Sequence, residues 1–446
     1  MLDMVGVGPF ITLPLILGAM GGPQAMLGWL LGAIIAICDG LVWAELGASM
    51  PEAGGSYVFL RNIFSGKKGQ GIGRLLAFLF IWQLSFSGPL SIASGCIGLS
   101  QYAAYLFPAL LRGNHSLAPH ISFGPITLVA MAACVLAVIL LWRNIQSIGK
   151  LSLFLWRGVM AAMALVSVTG LTHFHASLAF TFPAGAFQLS PAFFTGLGSA
   201  MLIATYDYWG YYNVCFLGGE IKDPTRTIPR AIVISIVLVA VLYLVMNISV
   251  IGVVPWQQIA HQSGLDSRRA VISVMMEQAW GGNIMGKLAA ALIIWTAFAS
   301  VFSLLLGYSR VPYAAARDGN YFGVFGRLHA QKKFPYVSLL ALGGVAACFC
   351  LFDLKQVIAA LVVIRIVMQF LLQQIGLLWL RWKRPDVPRP FRMWLYPVPA
   401  LLAAAGFLYI LFLRPGFARE LLYAATLILV GCLLFWLREK TAAHST

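Results

Sequence analysis

Charged residues are scarce in this sequence, and acidic residues are the scarcer kind. Charged residues make up 10% of the 446 positions, with 14 Asp and Glu against 30 Lys and Arg. Soluble domains carry about 25% charged residues, whereas 60% of this chain is apolar. The composition therefore excludes an ordinary soluble protein and indicates a protein that crosses a membrane many times.

Enzyme and metal motifs are also missing. The sequence has no GxSxG, no HExxH and no complete Walker motif, and its seven cysteines show no CxxC or Cys/His spacing. Nucleophilic, zinc and nucleotide chemistry require such spacings to bring their reacting groups together. We therefore expect no enzymatic activity, no cofactor and no metal site.

The excess of basic residues does not indicate nucleic-acid binding. The net charge is +16, but Lys and Arg occur in short clusters between long apolar runs. Placing the N-terminus inside the cell puts most of these residues in cytoplasmic connections, which is the usual bias of membrane proteins. We expect a multi-pass protein of the plasma or inner membrane, in contact with lipid and not with nucleic acid.

Long apolar runs are abundant. A helix needs about 20 predominantly apolar residues to cross the hydrocarbon, and the sequence contains twelve candidate runs. They cover residues 2–21, 25–49, 75–107, 123–142, 148–171, 191–217, 229–254, 284–309, 336–352, 356–381, 393–413 and 419–438. The prediction is an all-α integral membrane protein with about 12 transmembrane helices in one transporter domain, 1–446.

Two of these runs contain residues that interrupt helices. The first is MVGVGPFITLP, residues 4–14, and the second is ATYDYWGYYNVCFLGG, residues 204–219, five spans later. Gly and Pro are the residues that a helix interior tolerates least, and paired interruptions are typical of transporters built from inverted repeats. We predict a 5+5 inverted repeat with discontinuous helices 1 and 6. The repeats cover 1–171 and 191–381, and helices 11 and 12 cover 393–438.

Five stretches, in order along the chain, resemble motifs of the amino acid–polyamine–organocation (APC) superfamily. They are VGVGPFITLP, WAELGASMPEAGGSYVFLR, GGEIKDPTRTIPRA, SRVPYAAARDGNYFGVFGRLHAQKKFPYVSLL and LRWKRPDVPRPFR. The resemblance implies an amino acid permease, a secondary transporter that works by alternating access. Members usually have a longer segment before the first glycine motif, whereas five residues precede Gly6 here. We therefore expect the reading frame to begin further upstream; the alternative is that this protein lacks the cytoplasmic half of its first helix.

The first interruption offers a site for an anion. Unwound backbone in a membrane exposes N–H groups that favour an anion such as an amino acid carboxylate. Val7, Gly8 and Pro9 are the candidate residues, although Pro9 has no N–H to donate. The alternative is a simple kink at Pro9 and Pro14.

The second interruption supplies the other half of the predicted substrate site. Its candidate residues are Tyr206, Asp207, Tyr208, Trp209 and Gly210. Gly210 permits an unusual backbone, and the aromatic rings can cap a substrate or hold a cation on a ring face.

Two ionisable residues within spans are candidates for energy coupling. Asp207 could hold a substrate amino group or carry a coupling proton, because an intramembrane carboxylate is by default a functional hypothesis. Arg157 lies in the fifth span, where the resemblance implies that its guanidinium replaces a sodium ion. The alternatives are an ion pair of Asp207 with Arg157 or Arg365, or an Arg157 that extends to the membrane interface.

Polar residues recur at helical spacing on three spans. Such stripes are more often interhelical hydrogen-bonding contacts than ligands, so we interpret them as packing. They are Gln83, Ser87, Ser91 and Ser94; Thr296, Ser300 and Ser303; and Arg365, Gln369 and Gln373.

The predicted function is amino acid transport, with coupling to protons or exchange. Paired broken helices offer both a carboxylate site and an ammonium site, which suits an amino acid. A polyamine is the alternative substrate, because Asp207 is surrounded by aromatic residues. An amine-gated channel or a non-transporting sensor is a further alternative. Oligomeric state stays open.

Overall fold

The computed structural model describes residues 1–65, 72–119, 121–143, 145–261, 270–353, 365–413 and 417–443. It is mostly helical over these ranges, as the sequence predicts. Residues 356–364, the start of the predicted tenth span, lie outside the described residues.

Among the described residues, the first half of the chain contains eight α-helices and one small pair of strands. The helices are α1 (Gly8–Ile11), α2 (Leu13–Met20), α3 (Met26–Ser49), α4 (Ser56–Ile63), α5 (Ile72–Leu106), α6 (Pro125–Leu141), α7 (Ile145–Thr172) and α8 (Ala176–Ala179). Strands β1 (His115–Ala118) and β2 (Ile121–Phe123) pair antiparallel between α5 and α6.

The second half contains eleven further α-helices among the described residues. They are α9 (Pro191–Tyr208), α10 (Asn213–Phe216), α11 (Pro224–Ile251), α12 (Trp256–His261), α13 (Val271–Trp280), α14 (Asn283–Tyr308), α15 (Arg310–Arg317), α16 (Tyr336–Phe349), α17 (Leu372–Lys383), α18 (Val398–Phe412) and α19 (Phe417–Ala443). A π-helix, Ile366–Leu371, leads directly into α17.

Within the described ranges, six helices are long and apolar enough to cross a membrane by length and composition. They are Pro23–Ser49, Ile72–Leu106, Ser147–Thr172, Pro224–Ile251, Asn283–Arg317 and Leu421–Lys440. Three shorter apolar helices are Pro125–Leu141, Tyr336–Phe349 and Val398–Phe412. The protein is therefore a helical membrane protein, while the number of twelve spans stays a prediction.

The interruption of the first predicted span follows from its prolines. Pro14 has no N–H, so it cannot bond the carbonyl of Phe10 one turn earlier. The hydroxyl of Tyr102, on α5, donates to that carbonyl at 2.9 Å. The break between α1 and α2 is thus compensated by a side chain from another helix, as burial in an apolar environment requires.

The interruption of the sixth predicted span begins later than the sequence indicates. Helix α9 continues to Tyr208, so Tyr206 and Asp207 are helical, and the chain becomes extended at Trp209, with φ −62° and ψ 157°. Gly210 follows with φ +118°, a conformation that glycine adopts readily and other residues do not. The chain resumes as α10 at Asn213.

Helices that occupy corresponding positions in the two predicted repeats pack against each other. α2 contacts α9, α3 contacts α11, and α5 contacts α14. Small residues allow α3 to approach α9 as well: a Cβ at Gly28 would lie 2.7 Å from that of Ala200. Close approach through small residues is the usual mode of helix packing in membranes.

Candidate functional site

A cavity lies between the two interrupted segments, in the middle of these packed helices. Its lining includes residues 6–9 of the first segment and Tyr206, Asp207, Trp209 and Gly210 of the second. The cavity volume is ≈ 60 Å³, which is room for a few water molecules. The structure therefore brings together the two stretches that the sequence singled out.

Asp207 bridges the two interrupted segments. Its Oδ2 accepts a hydrogen bond of 2.5 Å from the hydroxyl of Thr12, the residue between α1 and α2. Its Oδ1 is buried and has no hydrogen-bond partner among the described residues. Since a buried carboxylate oxygen without a donor is costly, this atom is the most obvious acceptor for a ligand donor. The hydrogen-bond partner of Asp207 is therefore Thr12, and not Arg157 or Arg365 in an ion pair.

Two glycines make this contact between the segments sterically feasible. A Cβ at Gly8 would overlap the carboxylate of Asp207. A Cβ at Gly210 would lie 2.8 Å from Oδ2 of Asp3 and 3.0 Å from the backbone nitrogen of Met4. Side chains at either position would push the two segments apart.

The three predicted aromatic residues do not share one role. Tyr206 lines the cavity, and its hydroxyl lies 2.7 Å from Oγ of Ser94 on α5. Trp209 also lines the cavity, in T-shaped contact with Tyr206 at 6.2 Å between ring centroids.

Tyr208 lies outside the cavity lining, in contrast to its prediction as a substrate-binding residue. It is fully buried and packs against Trp29, with 5.6 Å between centroids, and against Tyr243, with 5.4 Å. The reason is helical phase: residues two apart on an α-helix are about 200° apart, so Tyr208 points away from the side that Tyr206 occupies.

Val7, Gly8 and Pro9, the candidate residues of the first segment, line the cavity. The side chain of Val7 packs against Gly98 of α5 and is 3% exposed. The first residues of a helix have N–H groups without intrahelical acceptors, and α1 begins here, with Val7 as its N-cap. The groups that this stretch can offer to a ligand are therefore backbone N–H groups.

Arg157 is not brought to the cavity. It is exposed on α7, whereas Leu155 and Val159 on the same helix are buried. Arg157 stands two residues from each of them, so the helix turns it away from the protein interior. The predicted replacement of a sodium ion by this guanidinium has no support from its position.

Several cavity residues were not predicted as ligands. The lining includes Asp3, Ser91, Ser94, Ser300 and Arg365. The sequence shows the serines and the arginine as polar stripes on apolar helices, which we interpreted as packing. Their convergence on one cavity depends on how distant helices pack, which the stripes alone do not reveal.

Asp3 is held by the second interrupted segment and by α14. Asn213 donates from Nδ2 to its Oδ2, and the hydroxyl of Ser300 donates to its backbone carbonyl at 3.3 Å. Its Oδ1 is buried without a partner among the described residues. The only sequence signal for this role was an acidic residue at the edge of an apolar run.

Arg365 is the basic residue of the cavity. Nη1 donates to the hydroxyl of Tyr212 at 2.9 Å, and Nη2 donates to the carbonyl of Ser87 at 3.0 Å. The guanidinium carbon lies 5.8 Å from the ring centroid of Trp209 and 5.2 Å from that of Tyr308. These contacts fix a positive charge at the lining.

Comparison with known proteins shows to which family this chain belongs. The profile described as "Amino acid permease" matches residues 1–435. The chain belongs to the amino acid permease family. The resemblance to the APC superfamily is thereby confirmed, and this permease is a membrane transporter of amino acids and not an enzyme.

Similar proteins cover almost the whole permease. Mouse solute carrier family 7 member 12 is 25% identical over 99% of this chain and 90% of its own length. The branched-chain amino acid permease BcaP of Bacillus subtilis is 25% identical over 98% of this chain and 92% of its own length. The aspartate-proton symporter of the same bacterium is 26% identical over 83% of this chain and 69% of its own length.

Proposed function

We propose that this permease is a secondary active transporter that binds an amino acid between its two interrupted helices and moves it by alternating access. The observation that carries the proposal is the bridge from Asp207 to Thr12, at a cavity that both interrupted segments line. Unwound backbone within membrane helices is tolerated where it lines a cavity, and transporters place substrate sites at such breaks.

The proposed architecture has twelve transmembrane helices in two inverted repeats, 1–171 and 191–381, followed by helices 11 and 12 over 393–438. It is supported by the packing of α2 on α9, α3 on α11 and α5 on α14, which pairs helices five spans apart. Exposed apolar side chains such as Leu153 and Phe154 would contact lipid. The distribution of Lys and Arg supports a plasma or inner membrane location.

The proposed binding mode uses both ends of an amino acid. The backbone at Val7 and Gly8 receives the carboxylate, and Oδ1 of Asp207 receives the ammonium group, because it is a buried acceptor without a donor among the described residues. Pro9 has no N–H, so the backbone donors of this stretch end at Gly8. Hydrogen bonds to charged groups contribute about 1.5–3 kcal/mol each, so losing either contact would weaken binding severely.

The second segment closes the proposed site. Tyr206 and Trp209 cap the substrate from the cavity wall, Gly210 permits the close approach of the first segment, and Tyr208 supports the wall from behind. The side chains of Tyr206 and Trp209 would have to move for entry, since ligand pockets usually enclose about 300–1,000 Å³ and this cavity encloses ≈ 60 Å³. Such a closed arrangement is what alternating access requires between its open states.

Asp207 is the proposed coupling residue. It can exist in charged and neutral forms, and its contact with Thr12 joins the two segments that must move relative to each other. Proton binding there would change that contact and the affinity for an ammonium group together. Exchange of one amino acid for another is the alternative coupling mode.

Transport into proteoliposomes tests this proposal. Labelled amino acids and the polyamines putrescine and spermidine would be offered, with pH and sodium gradients imposed separately. We expect saturable amino acid uptake that a pH gradient or internal amino acid stimulates. Uptake of polyamines alone would establish the alternative substrate, and an ohmic current without saturation would establish a channel.

A further inference from the structure

A buried cation without a carboxylate partner stands at the cavity. Arg365 is 2% exposed, and among the described residues no carboxylate oxygen lies within 4.0 Å of its guanidinium. Its contacts are a hydroxyl, a backbone carbonyl and two aromatic rings. Arginine stays protonated in proteins, so the cost of burying this charge is only partly offset.

The free edge of the guanidinium matches a carboxylate. Nη1 and Nη2 each use one N–H, for Tyr212 and for Ser87. Nε is buried and has no partner among the described residues. Nε–H and the N–H of the adjacent Nη are parallel donors in any guanidinium, and such a pair can bind both oxygens of a carboxylate.

The two acidic residues of the cavity lining each use one carboxylate oxygen in a contact away from Arg365, although the charge of Asp3 still acts on the guanidinium. Asp3 accepts its hydrogen bond from Asn213, and Asp207 accepts from Thr12. Neither reaches Arg365 within the 4.0 Å that defines an ion pair. The guanidinium is held instead at the entrance to the π-helix Ile366–Leu371, an irregularity that often accompanies functional sites.

We infer that Arg365 determines specificity by binding the side-chain carboxylate of an acidic amino acid. The inference rests on the proposed function, in which Asp207 and the backbone at Val7 and Gly8 hold the ammonium and the α-carboxylate. The side-chain carboxylate of the substrate then meets Arg365, the basic residue of the cavity lining. A cationic side chain or a polyamine would meet a fixed positive charge of its own sign and be rejected.

Isosteric substrates give a direct test of this inference. Aspartate and asparagine, and glutamate and glutamine, have nearly the same shape but differ in side-chain charge. We expect proteoliposomes with the unmodified permease to show a kcat/KM for aspartate or glutamate at least about ten-fold above that of its amide, because a site built for an ion rejects the analogue without it. Equal values, or preference for the amides, would overturn the inference.

Substitution of Arg365 then assigns the preference to this residue. Arg365→Gln should abolish the ratio between acid and amide while retaining uptake of the amide. Arg365→Lys should retain part of the ratio, because it keeps the charge without the two parallel donors. Arg157→Gln is the matched control, since it removes an exposed arginine from α7, and it should leave the ratio unchanged.

The outcomes separate this inference from the proposed function. If no amino acid is taken up, the proposed function fails, and the inference with it. If neutral amino acids are taken up without preference for acids, the proposed function stands and the inference is wrong. If Arg365→Gln lowers acid and amide uptake by the same factor, Arg365 has a structural role, and the specificity assignment is again wrong.

Discussion

Asp207 is the residue whose side chain joins the two interrupted segments. Its two carboxylate oxygens differ: Thr12 donates to Oδ2, whereas Oδ1 has no partner among the described residues. Asp207→Asn keeps a side-chain oxygen that can accept from Thr12 but removes the charge. We expect kcat/KM for uptake to fall about 100-fold, because loss of a hydrogen bond to a charged group costs roughly 2–3 kcal/mol.

The matched control for this variant is Asp386→Asn, at an exposed position in the connection after α17. Both proteins would be purified and compared by thermal unfolding before uptake is measured. Uptake by Asp207→Asn at the level of Asp386→Asn would show that the carboxylate is not part of the substrate site.

Substitution of Gly8 tests whether the first interrupted segment packs closely against Asp207. Gly8→Ala introduces a Cβ that would overlap the carboxylate of Asp207, and overpacking of this kind costs about 1–3 kcal/mol. We expect reduced uptake and a lower thermal midpoint. Gly18→Ala is the control, since a Cβ at Gly18 meets no atom of the described residues within 4 Å. Equal behaviour of the two variants would contradict the proposed packing.

At the residue scale the sequence identifies some of the site and misses the rest for a clear reason. Gly8, Asp207 and Gly210 break local rules of helix composition, so they can be recognised from their own segments. Arg157 and Arg365 look alike in sequence, each a lone arginine in an apolar run. Only helix packing separates them, because it exposes Arg157 and buries Arg365 at the cavity.

At the scale of elements, the interruption of the first helix depends on a helix far away in sequence. Tyr102→Phe removes the hydroxyl that donates to the carbonyl of Phe10 and leaves a buried acceptor unsatisfied, at a cost of about 1–3 kcal/mol. We expect the thermal midpoint to fall by a few degrees and uptake to decrease. Tyr423→Phe, at an exposed position of α19, should change neither, and an unchanged Tyr102→Phe would contradict this account.

The sequence locates both interruptions but not their limits. Proline and glycine mark where helical bonding fails, which is a local property. Where α9 ends is decided by contacts: it continues through Tyr208, whose ring packs on Trp29 and Tyr243. Assigning residues 206–210 to one interrupted segment therefore placed Tyr208 in the site, although its helical phase points it away.

At the scale of the whole molecule, composition alone indicates the class of protein, because few charges and many apolar runs suit only a membrane interior. Counting spans is harder. The interrupted helices and the 14-residue helix Tyr336–Phe349 are too short to count as spans by length, yet burial against neighbouring helices permits such elements within a membrane. The repeat proposal therefore depends on packing between helices that the sequence does not display.

A partly buried ion pair connects two elements next to the second interrupted segment. Nε of Arg310, 7% exposed, lies 3.2 Å from Oε1 of Glu220. This pair joins α15 to the connection after the second interrupted segment. Glu220→Gln leaves a buried guanidinium without its carboxylate, which destabilises the contact between these two elements.

We expect Glu220→Gln to accelerate hydrogen–deuterium exchange in residues 218–221 and 310–317. Glu52→Gln provides the comparison, because the Glu52 carboxylate lies at the same 3.2 Å from Arg61 but its side chain is 61% exposed. Exposed pairs contribute about 0–1 kcal/mol, so this variant should exchange almost as the unmodified protein does. Faster exchange in Glu52→Gln than in Glu220→Gln would show that the buried pair does not hold these two elements together.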